Sequence, residues 1–202
     1  VCGIQMKYKW LFVVSTSLSV GRGHLNRSIA LAYEISHKIN IDFFSNDGGK
    51  FNSKEFKEYK NIKFYSKGFE DINLNNYIGV TIDVKKPDKI LIKRLSKIKN
   101  SAIISDDRQM YHNINTIISP AFEKKNVYFR NKFSLIGKKY YLIPKKYKKY
   151  KRRINQNVKN ILINFGYLDS KQVTLKILKL LNLTKYNQSV IVLIGNNPSL
   201  SK

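Results

Sequence analysis

Short apolar runs alternate along the chain with stretches whose apolar residues recur every three to four positions. The first run, residues 10–14 (WLFVV), predicts a buried strand, and the apolar positions of 29–35 predict an amphipathic helix. The later segments repeat this alternation, with predicted strands at 39–44, 62–65, 79–83, 102–105, 116–118, 161–165 and 190–194 and predicted helices at 51–60, 88–98 and 173–181. The pattern predicts an α/β fold with a parallel sheet covered on both faces. Ligands of such sheets bind beyond the carboxyl ends of the strands.

A glycine-containing loop, residues 21–27 (GRGHLNR), lies between the first predicted strand and the first predicted helix. Gly21 and Gly23 allow positive φ and close approach of the backbone to a ligand, while the N–H groups and dipole of the new helix favour an anion. His24 is expected at the helix entrance, where the dipole disfavours a cation and suits the imidazole to act as an uncharged base. Arg27, one turn on, is expected to offer a fixed positive charge to phosphate.

Two common glycine motifs fit this loop poorly. A P-loop requires Lys followed by Ser or Thr after its last glycine, and the dinucleotide fingerprint requires a third glycine where Asn26 stands. A purely structural interpretation is also open at this point, in which Gly21 and Gly23 only form a tight turn and His24 only caps the helix.

Three acidic residues stand at the ends of predicted strands. Asp83 ends the strand 79–83, and Asp106 and Asp107 follow the strand 102–105, so a parallel sheet places them at the same edge as the glycine loop. The paired aspartates suggest a divalent-metal site as one interpretation. Neighbouring residues of a strand point to opposite faces, which favours a structural role in which one aspartate caps a helix or holds a loop. We predict neither a metal nor a cofactor.

The composition is that of a globular protein with a large excess of positive charge. Hydrophobic residues make up 43% of the 202 positions, and the formal net charge is +25. Such a charge attracts nucleic acid, anionic membranes or phosphorylated substrates. The lysines are spread along the chain among asparagine and isoleucine, which favours an AT-rich coding bias over a nucleic-acid footprint. We expect no specific nucleic-acid partner, but a weak association with anionic surfaces.

Cysteine usage and hydropathy suggest a cytoplasmic protein. Cys2 is the only cysteine, so no intrachain disulfide can form and a reducing compartment is the natural expectation. The apolar runs are far shorter than the roughly 20 residues that span a bilayer, so we predict no transmembrane segment. No secretory signal is evident.

The motif Gly-x-Gly-His-x-x-Arg after the first strand resembles the N-terminal signature of the UDP-sugar hydrolases of pseudaminic acid biosynthesis, the PseG/SpsG family. That family is related in fold to the two-domain GT-B glycosyltransferases. Four further segments resemble family motifs in the same order, namely 103–107 (IISDD), 137–143 (GKKYYLI), 161–169 (ILINFGYLD) and 190–198 (VIVLIGNNP).

The resemblance implies a GT-B-like protein that hydrolyses a UDP-sugar and releases UDP. It implies an N-terminal Rossmann-like domain at 1–153 and the first part of a truncated C-terminal nucleotide-binding domain at 154–202. The charge repulsion and missing apolar period of the basic stretch 145–153 predict an exposed linker or helix between them. His24 would be the base that activates water in a single, inverting displacement. The residues expected to bind substrate are Gly21, Arg22, Gly23, Arg27, Asp107 and Gly166.

The chain departs from the family pattern at several positions. Val84 and Lys85 follow Asp83 where the family carries His and Tyr, and Tyr167 and Leu168 replace a glycine and a serine. Residues 119–122 (SPAF) replace asparagines. Three interpretations therefore stay open: a UDP-sugar hydrolase, a GT-B-type glycosyltransferase for surface polysaccharide, and a catalytically degenerate or truncated relative.

Overall fold

The structure is a computed structural model that describes residues 8–17, 19–51, 61–65, 72–107, 109, 111–121, 131–150, 157–167, 169, 171–184 and 188–195. The chain separates into two compact units, Val1–Tyr147 and Lys148–Lys202. The domain assignment at 1–153 and 154–202, with the second part as the beginning of a truncated nucleotide-binding domain, stays a prediction.

The first unit is built on a seven-stranded, wholly parallel sheet. Its strands are β1 (Lys9–Val14), β2 (Asn40–Ser45), β3 (Ile62–Tyr65), β4 (Gly79–Asp83), β5 (Asn100–Ile104), β6 (Thr116–Ser119) and β7 (Phe133–Ile136). They are arranged in the order β3-β2-β1-β4-β5-β6-β7. The predicted α/β fold with a parallel sheet is confirmed, and its strand order is Rossmann-like.

Each face of the sheet has its own hydrophobic core. On one face Phe12, Val14 and Phe43 pack with the apolar side of helix α1 (Gly23–Ile35). On the other, Leu11 and Val13 pack with helix α2 (Lys89–Leu95). Alternate residues of β1 thus point to opposite cores, which is why the run is apolar throughout.

The observed elements differ from the predicted ones at several boundaries. Helix α2 is shorter than 88–98. At its start Asp88 is the N-cap, with its carboxylate accepting from the Leu91 N–H at 2.7 Å, and at its end Ser96 is the C-cap. Strand β7 was not predicted from the sequence, since its first two residues are exposed and it has no clear apolar period. Residues 52–60, where a helix is predicted, lie outside the described part.

The second unit contains two parallel strands, β8 (Asn160–Ile163) and β9 (Ser189–Val192), with helix α3 (Val173–Leu183) between them in the chain. These elements match the predicted strand-helix-strand order. In the basic stretch 145–153, Lys145–Lys149 form a short 3₁₀-helix, and residues 151–153 lie outside the described part.

Among the residues that the structure describes, no helix combines the length and the apolar character that crossing a membrane requires.

Candidate functional site

The candidate site lies where the strand order of the large sheet reverses. Strands β1 and β4 are neighbours there, with Val14 opposite Asp83 at their carboxyl ends. The chain runs from β1 outward to β3 on one side and from β4 outward to β7 on the other. Connections diverge at such a point and leave a crevice beyond the strand ends, where open α/β sheets bind ligands.

The glycine loop leads directly into helix α1 at this crevice. Gly21 has φ of +81°, so a left-handed backbone turns the chain into the helix. Gly23 is the first helical residue, and a Cβ placed on it would meet nothing within 4 Å. Arg22 is the N-cap residue, and its side chain makes no capping hydrogen bond to the helix. The first-turn N–H groups are therefore available to an anion.

His24 contacts a buried carboxylate. Its Nδ1 lies 2.6 Å from Oδ1 of Asp83, whose side chain is fully buried, while 17% of the His24 side chain is exposed. Because a carboxylate only accepts, Nδ1 carries the hydrogen, and the neutral ring keeps its lone pair on Nε2. Within the described residues Nε2 has no hydrogen-bond partner. The interpretation of His24 as a mere helix cap is wrong, since Arg22 holds that position.

The guanidinium of Arg27 binds the same carboxylate in a bidentate manner. Its Nε donates to Oδ2 of Asp83 at 2.7 Å and its Nη2 to Oδ1 at 2.6 Å. The third nitrogen, Nη1, donates to Oδ2 of Asp106 at 2.5 Å. Burial alone would lower the pKa of Arg27, but the hydrogen bonds and charges of the two aspartates outweigh it and raise the pKa. Arg27 is therefore a permanent cation whose donors are already directed at carboxylates.

One face of α1 presents three side chains that hydrogen-bond the Asp83 carboxylate. His24, Arg27 and Ser28 are spaced i, i+3 and i+4, and the buried Ser28 hydroxyl donates to Oδ2 at 2.9 Å. Nη2 of Arg27 also lies 3.1 Å from Nδ1 of His24, because both donate to the same oxygen. The predicted meeting of the glycine loop with Asp83 and Asp106 is thus observed.

A cavity of about 580 Å³ adjoins the glycine loop. Its walls come from the β1–α1 connection and the turn after β2, and its lining residues are Thr16, Ser17, Ser19, Gly21, Arg22, Leu25, Asp47, Gly48, Gly49 and Lys50. Hydroxyls, glycine backbone, the cations of Arg22 and Lys50 and the carboxylate of Asp47 border this space. It suits a polar, anionic ligand.

Asp47 holds the two walls of this cavity together. Its carboxylate accepts from the backbone N–H groups of Thr16 and Ser17 at 2.9 to 3.1 Å and from the hydroxyl of Ser45 at 3.1 Å. Burial acts to raise the pKa of Asp47, but these hydrogen bonds outweigh it and leave the pKa below its ordinary value. The ionised carboxylate therefore stabilises the loop.

The paired aspartates have different surroundings. Strand β5 ends at Ile104, so both follow it; Asp106 contacts Arg27, whereas Asp107 accepts from the hydroxyl of Ser105 at 2.7 Å and the N–H of Gln109 at 3.0 Å. Among the described residues no three His, Cys, Asp or Glu side chains are grouped as a metal site requires. Substrate binding by Asp107 stays a prediction.

Tyr111 lies beside Asp107 in this loop. Its hydroxyl is 3.5 Å from Oδ2 of Asp107, and burial together with that carboxylate raises the pKa of Tyr111 to about 12. The phenol is therefore a neutral donor at physiological pH.

The motif positions of the second unit form a strand-turn-helix of their own. Gly166 has φ of +80° and donates to Oδ1 of Asn164 at 2.8 Å. Asp169 accepts from the N–H groups of Val173 and Thr174, both at 2.9 Å, at the start of α3. The backbone of Tyr167 packs against Gly195. A Cβ at Gly195 would lie 2.0 Å from the Tyr167 carbonyl oxygen. Leu168 lies outside the described residues, and substrate binding by Gly166 stays a prediction.

Of the positions that depart from the family pattern beside Asp83, Val84 is buried in the core and Lys85 is exposed. The backbone N–H of Lys85 donates to the hydroxyl of Ser15 at 3.1 Å. Val84 therefore contributes to core packing, and Lys85 contributes a backbone hydrogen bond to the loop between β1 and α1.

Sequence reasoning missed the roles of three residues at this edge. The sequence predicts Asp83 at this edge of the sheet but not its hydrogen bond with His24. It identifies neither Ser28 nor Asp47 as a site residue. The i, i+4 spacing of Ser28 from His24 is the one signal that was available.

No protein-family model matches the chain, and no curated protein matches it either.

Proposed function

We propose that the protein is a nucleotide-sugar hydrolase of GT-B type that releases UDP from a UDP-linked sugar, in the biosynthesis of a nonulosonic acid or surface polysaccharide. The observation that carries the proposal is the pairing of His24 with Asp83 at the point where the sheet order reverses. The resemblance of the glycine loop to the pseudaminic acid family supplies the substrate class.

In the proposed reaction Nε2 of His24 takes a proton from a water molecule as its oxygen attacks the anomeric carbon. The bond from that carbon to the phosphate oxygen breaks, and UDP departs with the electron pair. Asp83 holds Nδ1 in the protonated form and stabilises the imidazolium that results. One base suffices, because UDP is a stable anion and needs little protonation as it leaves.

The diphosphate is proposed to lie over the first turn of α1. The uncapped N–H groups there, the flexible Gly21 and Gly23 and the side chain of Arg22 would bind its oxygens. Arg27 would contribute its Nη1 when a phosphate oxygen replaces the half-exposed carboxylate of Asp106.

The test is release of UDP by the purified chain from a panel of UDP-sugars, with the sugar's anomeric configuration followed by NMR. Release without an acceptor, with inversion, is expected for at least one 2,4-diacetamido-trideoxyhexose or N-acetylhexosamine donor. His24→Ala should reduce kcat by about 10²- to 10⁴-fold, whereas His37→Ala, at an exposed histidine, should leave it unchanged.

Two results would contradict the proposal. Release that requires an acceptor sugar would identify a transferase. Equal activity of the His24 and His37 variants would remove His24 from the chemistry, provided that both variants retain the far-UV circular dichroism of the starting protein.

A further inference from the structure

The segment 138–147 (KKYYLIPKKY), after the last strand of the first unit, is both basic and aromatic. It holds four lysines and three tyrosines and no acidic residue. All four lysines, Lys138, Lys139, Lys145 and Lys146, are exposed. The segment thus concentrates positive charge on one short stretch of surface.

Apolar groups stand among these charges. Tyr141 and Ile143 are 56% and 61% exposed, whereas the intervening Leu142 is half-buried. Tyr147 is also exposed. The burial alternates along this stretch, so Tyr141 and Ile143 face solvent while Leu142 is partly covered. A large exposed aliphatic side chain between lysines is the feature that the proposed hydrolysis does not use.

An ion pair also connects the segment to helix α1 of the same unit. Lys145 forms an ion pair with Glu34 near the end of α1. Chain that is already ordered loses less conformational entropy when it binds a partner. The other three lysines of the segment are exposed, and the ammonium groups of Lys139 and Lys146 lie over the neighbouring rings of Tyr140 and Tyr147, at 4.8 and 5.5 Å from the ring centroids.

We propose that the 138–147 segment binds the surface of an anionic lipid bilayer. Lysines near such a surface are attracted by its negative potential, and clusters of four to eight basic residues are typical of sites for acidic lipids. Tyrosine rings favour the headgroup level, where one end is apolar and the other wet. Ile143 would enter the boundary between headgroups and acyl chains.

A nucleic-acid partner fits the same segment less well. Arginine, which stacks on bases and binds phosphate in a bidentate manner, does not occur in 138–147. Ile143 has no comparable use against a base or a phosphate. The lysine, tyrosine and isoleucine together favour a lipid surface.

The test is co-sedimentation of the full 202-residue chain with vesicles at 150 mM NaCl. Vesicles of phosphatidylcholine with 30% phosphatidylserine should bind the protein, and pure phosphatidylcholine should bind it far less. The triple variant Lys138→Gln, Lys139→Gln, Lys146→Gln should lose about a hundredfold in partitioning, since each lysine contributes about fivefold.

A matched control removes the same charge elsewhere. Lys89, Lys93 and Lys97 are exposed lysines on or just after α2, and their replacement by Gln should leave binding within about threefold. Equal losses in the two triple variants would overturn the proposal, because binding would then follow net charge alone.

A second variant tests the apolar contribution of Ile143 to vesicle binding. Ile143→Ser in the otherwise unchanged chain should remove the binding that persists at 500 mM NaCl, where the charge contribution is largely screened. Binding that is fully salt-sensitive in both proteins would contradict the role of Ile143. The proposal also fails if the 138/139/146 variant keeps vesicle binding but loses binding to a labelled 20-nucleotide single strand or duplex.

Discussion

Asp83 determines the local arrangement of the candidate site, because its single buried carboxylate receives four hydrogen bonds from α1. His24, Arg27 and Ser28 supply these donors. The sequence predicted which residues reach this edge, since each follows from its place after a strand or in the first turns of a helix. It predicted phosphate as the partner of Arg27 and did not predict that Arg27 would hydrogen-bond two carboxylates. Partners 56 residues apart are joined only by the fold.

Replacing Asp83 by Asn should impair both stability and activity. The amide removes the buried one of the two charges that pair with Arg27 and leaves only the half-exposed Asp106, which is expected to lower the free energy of unfolding by about 3 kcal/mol. It also favours the wrong tautomer of His24, so kcat for UDP release should fall by about 10²- to 10⁴-fold. Urea titration and initial rates measure the two effects.

The control is Asp88→Asn, because asparagine caps a helix about as well as aspartate and Asp88 lies at the start of α2. A stable, active Asp83→Asn protein would show that the buried carboxylate is dispensable.

Asp106 competes for the donor that the proposal assigns to phosphate. Its carboxylate is half-exposed and bonds Nη1 of Arg27. Asp106→Asn should therefore lower the KM for the UDP-sugar by about two- to fivefold, as expected for the loss of a partly exposed ion pair. Initial rates over a range of substrate concentrations give KM. An increased KM would mean that Asp106 itself binds substrate, and Asp88→Asn again serves as control.

At the scale of elements, the connections after β1 and β2 form one unit. Asp47 binds the backbone of Thr16 and Ser17, and Gly49 packs against the same two residues. The order strand, loop, helix was predictable here because the apolar run and the helical period are both strong. The closeness of the two loops was not predictable, since Gly48 and Gly49 read only as a turn. Strand β7 was missed because its exposed residues carry no period.

Gly49→Ala should destabilise the protein. A Cβ at this position would lie 2.4 Å from Oγ1 of Thr16 and 2.6 to 2.7 Å from backbone atoms of Thr16 and Ser17, so the two loops must separate. The expected cost is about 1 to 3 kcal/mol, measured by urea or thermal unfolding.

Gly23→Ala is the matched control for stability, since a Cβ there meets nothing within 4 Å and φ is not positive. Equal unfolding midpoints for the two variants would contradict the close packing of the loops.

Asp47 should make stability depend on acid pH. Its pKa is lower in the folded protein than in the unfolded chain, so the unfolded state binds more protons between the two values. The stabilisation is fully present above the unfolded value near 4 and is lost as the pH falls through the folded value. The urea midpoint should thus fall more steeply from pH 5 to pH 3 in the starting protein than in Asp47→Asn. Parallel curves would contradict the assignment.

At the scale of the whole molecule, the net charge of +25 opposes folding. Like charges repel one another most in the compact state, and salt screens that repulsion. The thermal midpoint should therefore rise as NaCl increases from 20 to 300 mM, as followed by circular dichroism. Near pH 10, close to the isoelectric point of about 10.0, the same addition should have little effect. A flat response at pH 7 would show that the lysines are too dispersed to interact.

The first turn of α1 carries residues of both the cavity and the candidate catalytic pair. Arg22 lines the cavity, and His24, two residues on, contacts Asp83. Arg22 and Leu25, which line the cavity, stand on either side of His24 in the chain, so a ligand bound in the cavity would contact the helical turn that carries the imidazole.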